Sequence, residues 1–451
     1  MHDLSRCVSN NPFIRRISDL LPEGTYLVGG CIRDMLLGRD PLDLDLVTYA
    51  DIEELAGYIA SRVHSRPFWM DEKRGVMRIS VKDGGSLDIS KPKGRDIEED
   101  LISRDLTINA MAYDLSKGLF FDPAEGLKDL FQGVIRIISE RNLTDDPLRA
   151  LRAIRFSVTL DYALEEGTSR LIRKHGGLLK AVSPERIKYE IFRALDSVHG
   201  AKFFRLLIWT GLINVLFPEA LTGVQSVHRF WQPIFSLALP VSLETDGLIY
   251  AADALMPGSS AVLDLEQEHR VKRASLLRFT AFLLGLREAR KERDAGGRAE
   301  DGDSYADLAA GFCSTLRFSS PSTRMVRSLL AKADSTRALL SQSDANSLGR
   351  YRFCEEASDI LPESLLLSLA WAQSRNVVLR QEASAVWEYY RTAYLEQKRT
   401  PLVTGRDIMR ILKSPSGPHV GGILRQIEEA RAQGLVQTRR EALEYLQGIA
   451  L

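Results

Sequence analysis

The sequence predicts a small α+β head at the N-terminus followed by an all-α neck, body and tail. Three observations predict it. Tyr26-Leu-Val-Gly29-Gly30-Cys-Ile-Arg33-Asp34-Met-Leu-Leu-Gly38, then Pro41-Leu-Asp43-Leu-Asp45-Leu-Val47, reads as strand, Gly-Gly turn, helix and strand. Ser86-Leu87-Asp88-Ile89-Ser90 reads as a further short strand. From Phe203 onward apolar residues recur at three and four, as in Phe203-Phe204-Leu207-Ile208 and Leu212-Ile213-Leu216-Phe217, and Ala274 to Leu286 reads as a buried helix. With 451 residues, several domains are expected.

The first unit ends an apolar strand at Leu27-Val28, and Gly29-Gly30 lets the chain turn tightly into a helix. Backbone amides at such a turn, with the helix N-terminus behind them, suit a phosphate, and Arg33 and Asp34 fall in the first helical turn. In the next strand the side-chain period of two puts Asp43 and Asp45 on one face and Leu42, Leu44 and Leu46 on the other. Two carboxylates at that spacing repel each other unless a cation sits between them. Oxygen ligands with no Cys or His among them favour Mg²⁺ or Mn²⁺ over zinc. A nucleotide held beside a metal is the chemistry this unit describes.

Asp88, central in its own strand, would supply a third acid, either ligating a second ion or deprotonating an attacking hydroxyl. In Glu98-Glu-Asp-Leu-Ile-Ser103-Arg104-Asp105-Leu-Thr-Ile-Asn109, the acid Asp105 and Asn109 lie four apart, as on one helix face, and Arg104 adds a fixed cation. An Asp there can accept from ribose hydroxyls. Downstream, Asp146-Pro147-Leu148-Arg149 places Asp146 at an N-cap, Pro147 at the first helical position and Arg149 one turn on. A carboxylate acceptor beside a guanidinium donor matches the amino donor and ring-nitrogen acceptor of cytosine and adenine. It opposes the carbonyl that uracil and guanine present instead.

These segments, in this order and spacing, resemble the class II nucleotidyltransferases: the CCA-adding tRNA nucleotidyltransferases, bacterial poly(A) polymerase and the separate CC-adding and A-adding enzymes. The resemblance covers roughly residues 25–200. It implies that Asp43 and Asp45 hold catalytic Mg²⁺ and that Gly29, Gly30, Arg33 and Arg104 serve the triphosphate. Asp105 and Asn109 would meet the sugar, Asp146 and Arg149 the base, and Arg152 and Arg155 phosphate or RNA. Ser183-Pro-Glu185-Arg186-Ile-Lys-Tyr-Glu190 is similar to a capped helix that braces the base-reading one. The implied reaction is in-line attack of a tRNA 3′-hydroxyl on the α-phosphate of CTP or ATP, with release of pyrophosphate.

Departures from the family pattern bear on the product. Ser103 stands where many relatives place a second Arg, and Asp145 where Glu is commoner. Only residues 89–98 separate Asp88 from Glu99, so the flexible loop that many CCA-adding and A-adding relatives carry there is expected to be missing. That favours CC addition over completion with A. A poly(A) polymerase remains an alternative, although Phe68-Trp-Met-Asp-Glu-Lys-Arg-Gly75 stands where a Gly-Arg-Arg-Phe-like run would mark one. An RNA-binding protein with a vestigial head is a rival from another class, and the intact acids argue against it. An enzyme adenylylating a small molecule or protein leaves the basic neck and the tail without a role.

Sixty basic and sixty acidic residues give no formal net charge, so an RNA-binding field must be local. Residues 167–205 carry nine Lys/Arg against three Asp/Glu, a basic neck suited to a polyphosphate. The expected divisions are a head at 1–140, a neck at 141–205, a body at 206–395 and a tail at 396–451. Some relatives carry a His-Asp metal pair in the body; at the best local match, Leu284 and Gly285 replace it, and His228 reads as a surface residue. The charged, Gly-rich residues 287–304 read as a surface loop. In the tail, Pro401 to Ile408 begins a helix, Ser416 to Gly422 reads as a glycine turn before another, and Thr438 with Glu441 forms a capping box. The resemblance implies that this tail grips the tRNA elbow. Cys7, Cys31, Cys313 and Cys354 lack metal spacing and suit a reducing cytoplasm. The start does not read as a signal peptide, and no stretch is long and apolar enough for a membrane.

Overall fold

The computed structural model describes residues 4–81, 85–218, 231–294, 304–342, 346–413 and 415–449. The chain forms two compact units, residues 1–194 with 206–216, and residues 195–205 with 217–451. Of the expected neck, residues 195–205 fall in the second unit, and of the expected body, residues 206–216 fall in the first.

The first unit is built on a seven-stranded sheet. Its strands are β1 (Thr25–Val28), β2 (Asp43–Thr48), β3 (Pro67–Asp71), β4 (Val76–Ser80), β5 (Ser86–Ser90), β6 (Ala112–Asp114) and β7 (Phe120–Phe121). They lie in the order β3-β4-β5-β2-β1-β6-β7, with β2 and β5 parallel and the other pairs antiparallel. Helix α1 (Gly30–Leu36) leaves β1 at the Gly-Gly turn, and α2 (Ile52–Arg62) starts where Asp51 accepts from the Glu54 amide at 2.9 Å. Leu44, Leu46, Ile79, Leu87 and Ile89, all nearly inaccessible, form one face of the sheet, with α2 packed on β4 and β5. The expected Leu42–Leu44–Leu46 stripe is shorter than its pattern. Leu42 precedes the strand and is 70 % exposed.

On the other face Val28, Val47, Ala110 and Ala112 pack with Ile97 and Leu101 of α3 (Ile97–Ile102). That helix stops before Asp105, a correction to the helical reading of residues 98–109. Leu106 bridges to Ile137 as an extended residue, the Ile138 amide donates to Asp105 O at 3.4 Å, and only a short 3-10 turn, Thr107–Asn109, follows. Backbone pairing with a later segment of the same chain has replaced the intrahelical bonds. Two further helices complete the part used below, α4 (Leu148–Thr159) and α5 (Pro184–Leu195). Helix α4 begins one residue later than expected. Pro147 is its cap, and Asp146, just outside, still accepts the Leu148 amide at 3.3 Å.

The second unit is helical apart from a two-stranded ribbon among its described residues. Its core helices are α6 (Trp231–Tyr250), α7 (Arg273–Asp294), α8 (Ser320–Leu340) and α9 (Leu361–Gln373), with α6 against α7 and α9. Aromatic side chains fill it. Phe204 stacks on Phe282 at 4.0 Å and meets Phe203 edge-on at 5.7 Å, and Phe217 stacks on Phe312 at 4.3 Å. Leu284 is fully buried in this apolar packing, and among the described residues no three His, Cys, Asp or Glu side chains gather as metal ligands. The reading of 287–304 as a loop is corrected at its start. Helix α7 runs on to Asp294, with Arg287 and Glu288 nearly buried and joined to Asp334 at 3.2 Å and Arg337 at 3.5 Å. Residues 295–303 and His228 lie outside the described residues.

The tail comprises α10 (Gly405–Leu412), α11 (Pro418–Ala432) and α12 (Arg439–Ile449), packed through Val403, Ile408, Ile427, Ala442 and Leu446. Thr404 and Asp407 close one capping box, and Thr438 and Glu441 the expected other. The glycine turn is a correction, since Gly421 and Gly422 lie inside α11. Pro418 at the first helical position starts the helix ahead of them.

Phe204→Ala should destabilise the second unit by about 3–5 kcal/mol, because it empties a ring-sized volume among rings that cannot close in. Urea unfolding followed through this unit's tryptophans checks it.

Candidate active site

Parallel pairing of β2 and β5 sets Asp45 directly beside Asp88, and Asp43 beside Ser86, whose hydroxyl donates to Asp43 Oδ1 at 2.7 Å. Directly paired residues project from the same face of a sheet, so all three acids share it. Asp43 is open to solvent, and Asp45 is half-buried. Burial, and next the negative charge of Asp88, push the Asp45 carboxyl up to about 6, only partly opposed by the Arg104 guanidinium. This is a carboxylate short of positive charge. Among the described residues no third acid joins Asp43 and Asp45 as a metal cage. Asp88 is engaged by Arg78 of β4, which donates Nε and Nη2 to its two oxygens at 2.6 and 2.7 Å.

The Gly29 turn lies beside this pair. Gly29 has φ +79° and ψ −133°, angles that essentially only glycine adopts. A Cβ there would come within 2.9 Å of Arg104 Nη1 and 3.7 Å of Asp45 Oδ2. The Gly29 amide is itself used, donating to Met111 O at 3.1 Å. The amides after it, beginning at Gly30, have no intrahelical acceptor and are the ones that could take a phosphate. Arg104 is anchored by Asp100 through Nε and Nη2 at 3.0 and 2.9 Å.

Arg33 is nearly buried. It donates to Asn109 Oδ1 at 2.7 Å and, through two nitrogens, to Asp34 at 3.0 Å. Asn109 in turn donates to Asp105 Oδ1 at 3.2 Å, so these two converge as expected, through a turn instead of a helix face. Arg152 donates to Asp105 Oδ2 at 2.7 Å. Burial alone would raise the Asp105 carboxyl, but Arg152, Asn109 and the Leu106 amide outweigh it and hold it down at about 2. Glu190 of α5 accepts from Arg155 at 2.5 Å and lies 3.6 Å from Arg152, which ties α5 to α4. Phe156 sits under three guanidiniums, Arg155 at 4.0 Å, Arg33 at 5.0 Å and Arg152 at 5.9 Å from the ring centre.

Asp146 and Arg149 are both drawn into side contacts. Arg186 of α5 pairs with Asp146 at 3.1 Å, and Arg149 Nη1 donates to the Arg104 carbonyl at 2.9 Å. Burial lowers the Arg149 guanidinium, opposed by nearby Asp105 and Asp146. The donor and acceptor thus stand on either side of the start of α4, each held by a group outside it.

Sequence reasoning missed Arg78 and Asp100. For Asp100 a signal was present, since it lies four residues before Arg104, at helical spacing. Arg78 had only a weak one, a charged residue between two buried ones in Val76-Met77-Arg78-Ile79-Ser80.

Three family models match the chain: the poly(A) polymerase head domain at residues 25–136, a probable RNA- and SrmB-binding site of polymerase A at 161–222, and a putative tRNA nucleotidyltransferase domain 2 at 305–446. A CC-adding tRNA nucleotidyltransferase of Geobacter sulfurreducens is 30 % identical over 94 % of this chain and 91 % of its own length. The chain belongs to the tRNA nucleotidyltransferase family. An A-adding tRNA nucleotidyltransferase of Deinococcus radiodurans is also 30 % identical, over 94 % of this chain and 95 % of its own. The fold matches that of a Thermotoga maritima CCA-adding enzyme solved in complex with tRNA, with a TM-score of 0.67 at 22 % identity over 100 % of this chain and 99 % of that one. Nucleotidyltransferases of this family generally use divalent metal ions. The donor set fits one, with carboxylate oxygens on one sheet face and an Asp45 carboxyl whose pKa is raised by burial and next by the negative charge of Asp88. No described helix is long and apolar enough to cross a membrane.

Folding lowers the pKa of Asp105, so its contribution is fully present above the unfolded value near 4 and is lost as pH falls through about 2. Asp105→Asn should therefore cost about 2 kcal/mol at pH 7, with the gap from the parent closing as pH falls from 4 towards 2. Urea unfolding of both proteins across that range checks it.

Proposed function

We propose that the protein extends the 3′ end of tRNA from CTP and stops after two C residues. The observation that carries this is the connection after β5. Only residues 91–96 lie between Ser90 and Ile97, and they are drawn tight. The Lys93 amide donates to Asp100 Oδ1 at 2.9 Å, the Arg95 amide to Glu99 Oε2 at 2.9 Å, and Lys91 Nζ to the Tyr49 and Ala50 carbonyls at 2.8 and 2.6 Å. A segment so short and so tethered has no slack for the loop that the family resemblance associates with the switch to ATP.

In this reading Asp43 and Asp45 hold Mg²⁺, which when bound neutralises phosphate charge and favours ionisation of the attacking hydroxyl. Gly29 leaves room for Arg104 to face the triphosphate, and Asp100 fixes its direction. Arg33, braced by Asn109 and Asp34, adds a second cation. Asp105 and Asn109 receive the ribose. Asp146 and Arg149 exchange their present partners for the acceptor–donor edge of cytosine. Arg152 and Arg155, locked by Glu190, keep α4 in place beneath them. Asp88, clamped by Arg78, sets the charge around Asp45 and is kept from acting as a free base. The four cysteines, none disulfide-bonded, accord with work in the cytoplasm.

Incubating tRNA lacking CCA, tRNA ending in C and tRNA ending in CC, with CTP and ATP apart and together, should give two-nucleotide, one-nucleotide and no extension. Asp43→Ala/Asp45→Ala should abolish all transfer and leave tRNA affinity within about twofold, since phosphate contacts elsewhere carry binding. Three-nucleotide products would overturn the CC assignment, and long A tails the tRNA assignment.

Arg149→Ala should reduce the CTP-over-UTP preference in kcat/KM on the order of tenfold or more, because the cytosine edge loses a charge-assisted donor. Single-nucleotide incorporation kinetics with all four triphosphates measure it.

A further inference from the structure

Strand β3 is one of the two edge strands of the head sheet, and Phe68, Trp69 and Met70 along it are 49, 37 and 53 % exposed. Three successive large apolar side chains on a free edge invite edge-to-edge association, which proteins ordinarily suppress with charge or proline. Register ties this edge to the chemistry. Phe68 pairs with Arg78, Arg78 with Asp88, and Asp88 with Asp45, one residue per strand across four neighbouring strands. Paired residues share a face, so Phe68 ends the very row that carries the acids. At the usual strand spacing it stands about 14 Å from Asp45.

We infer that Phe68 is a stacking platform for the single-stranded 3′ end of the RNA substrate, engaging a base behind the one that bears the attacking hydroxyl. The inference rests on the proposed function. Its chemistry is that of an unpaired nucleotide: an aromatic face for the base and cations for the backbone. Exposed Arg66, two residues before Phe68, and Lys73, in the turn after β3, have no ion-pair or hydrogen-bond partner among the described residues, while Arg74 pairs with Asp71 at 3.5 Å. Arg78, whose guanidinium is half-exposed, lies between the platform and the acids. Stacking on an aromatic ring tolerates every base. An acceptor end whose last bases change after each addition needs that tolerance, which hydrogen-bond readout would not supply. Trp69 cannot serve the same face, because its partner Met77 is buried on the opposite side of the sheet.

The test uses the full-length protein and tRNA lacking CCA, with 2-aminopurine in place of the base before the 3′-terminal one, in the absence of triphosphate. Binding to the parent protein should quench the probe. Phe68→Ala and Phe68→Leu should lose the quenching, whereas Phe68→Tyr and Phe68→Trp should keep it. In steady-state CTP addition, Phe68→Ala should raise KM for tRNA roughly tenfold with KM for CTP unchanged, the loss expected for one stacked base. Wild-type quenching and tRNA KM in Phe68→Ala would overturn the platform. So would a defect confined to CTP, or a shift in oligomeric state on gel filtration that tracked Phe68→Ala, the signature of an edge that meets a second copy. Failure of the proposed function has a different mark: transfer would persist in Asp43→Ala/Asp45→Ala, while the quenching would still report whether Phe68 meets RNA.

Discussion

Asp45 and Asp88 lie side by side because β2 and β5 run parallel, and much of the first unit answers the charge they bring together. Burial, and next the charge of Asp88 on the adjacent strand, push the Asp45 carboxyl up to about 6. The chain compensates from both sides. Arg78 takes Asp88 with both arms of its fork, and Arg104, steered by Asp100, approaches Asp45 through the gap that Gly29 leaves. Neither guanidinium neutralises Asp45 and Asp43 outright. The residual negative charge is of the kind that suits a divalent cation.

The same logic extends away from the acids as a chain of fixed charges. Arg33, Asn109, Asp105, Arg152, Glu190 and Arg155 are linked in sequence by contacts of 2.5 to 3.6 Å, with Phe156 packed beneath three of the guanidiniums. Each member restricts the next, so the groups proposed to face the ribose and the base are held in place in the structure itself. Preorganisation of this kind places charge where it develops in the reaction without a reorganisation cost at that moment. Arg149 and Asp146 are the exceptions, resting on Arg104 O and Arg186, contacts that a base can displace.

The second unit draws its stability from a different source. Stacked rings and fully buried aliphatic side chains, Leu284 among them, fill α6 to α9. Buried ion pairs such as Arg278–Asp246 at 2.6 Å and Arg273–Glu363 at 2.6 Å sit in that apolar setting. Pairs of that kind contribute more to specifying one arrangement of helices than to net stability, since desolvation offsets much of their attraction.

Much was legible in the sequence because it depends on local geometry. The period of two put Asp43 and Asp45 on one face, the Gly-Gly pair marked a turn only glycine can make, and Thr438 with Glu441 announced its own helix start. Asp105 and Asn109 were rightly joined for the wrong local reason: backbone pairing with Ile137 and Ile138 overrode the helix, and a side-chain hydrogen bond restored the contact. Strand partners were not legible. Nothing near Asp88 in sequence indicates that β5 lies parallel to β2, or that Arg78 reaches Asp88 from the neighbouring strand. Nor does Phe68 announce that it ends their row. The chain by itself determined which residues could carry charge, turn sharply or begin a helix, because those properties belong to a residue and its few neighbours. Only the tertiary structure decided which charges meet, because strand order and register are set by burying the whole sheet at once.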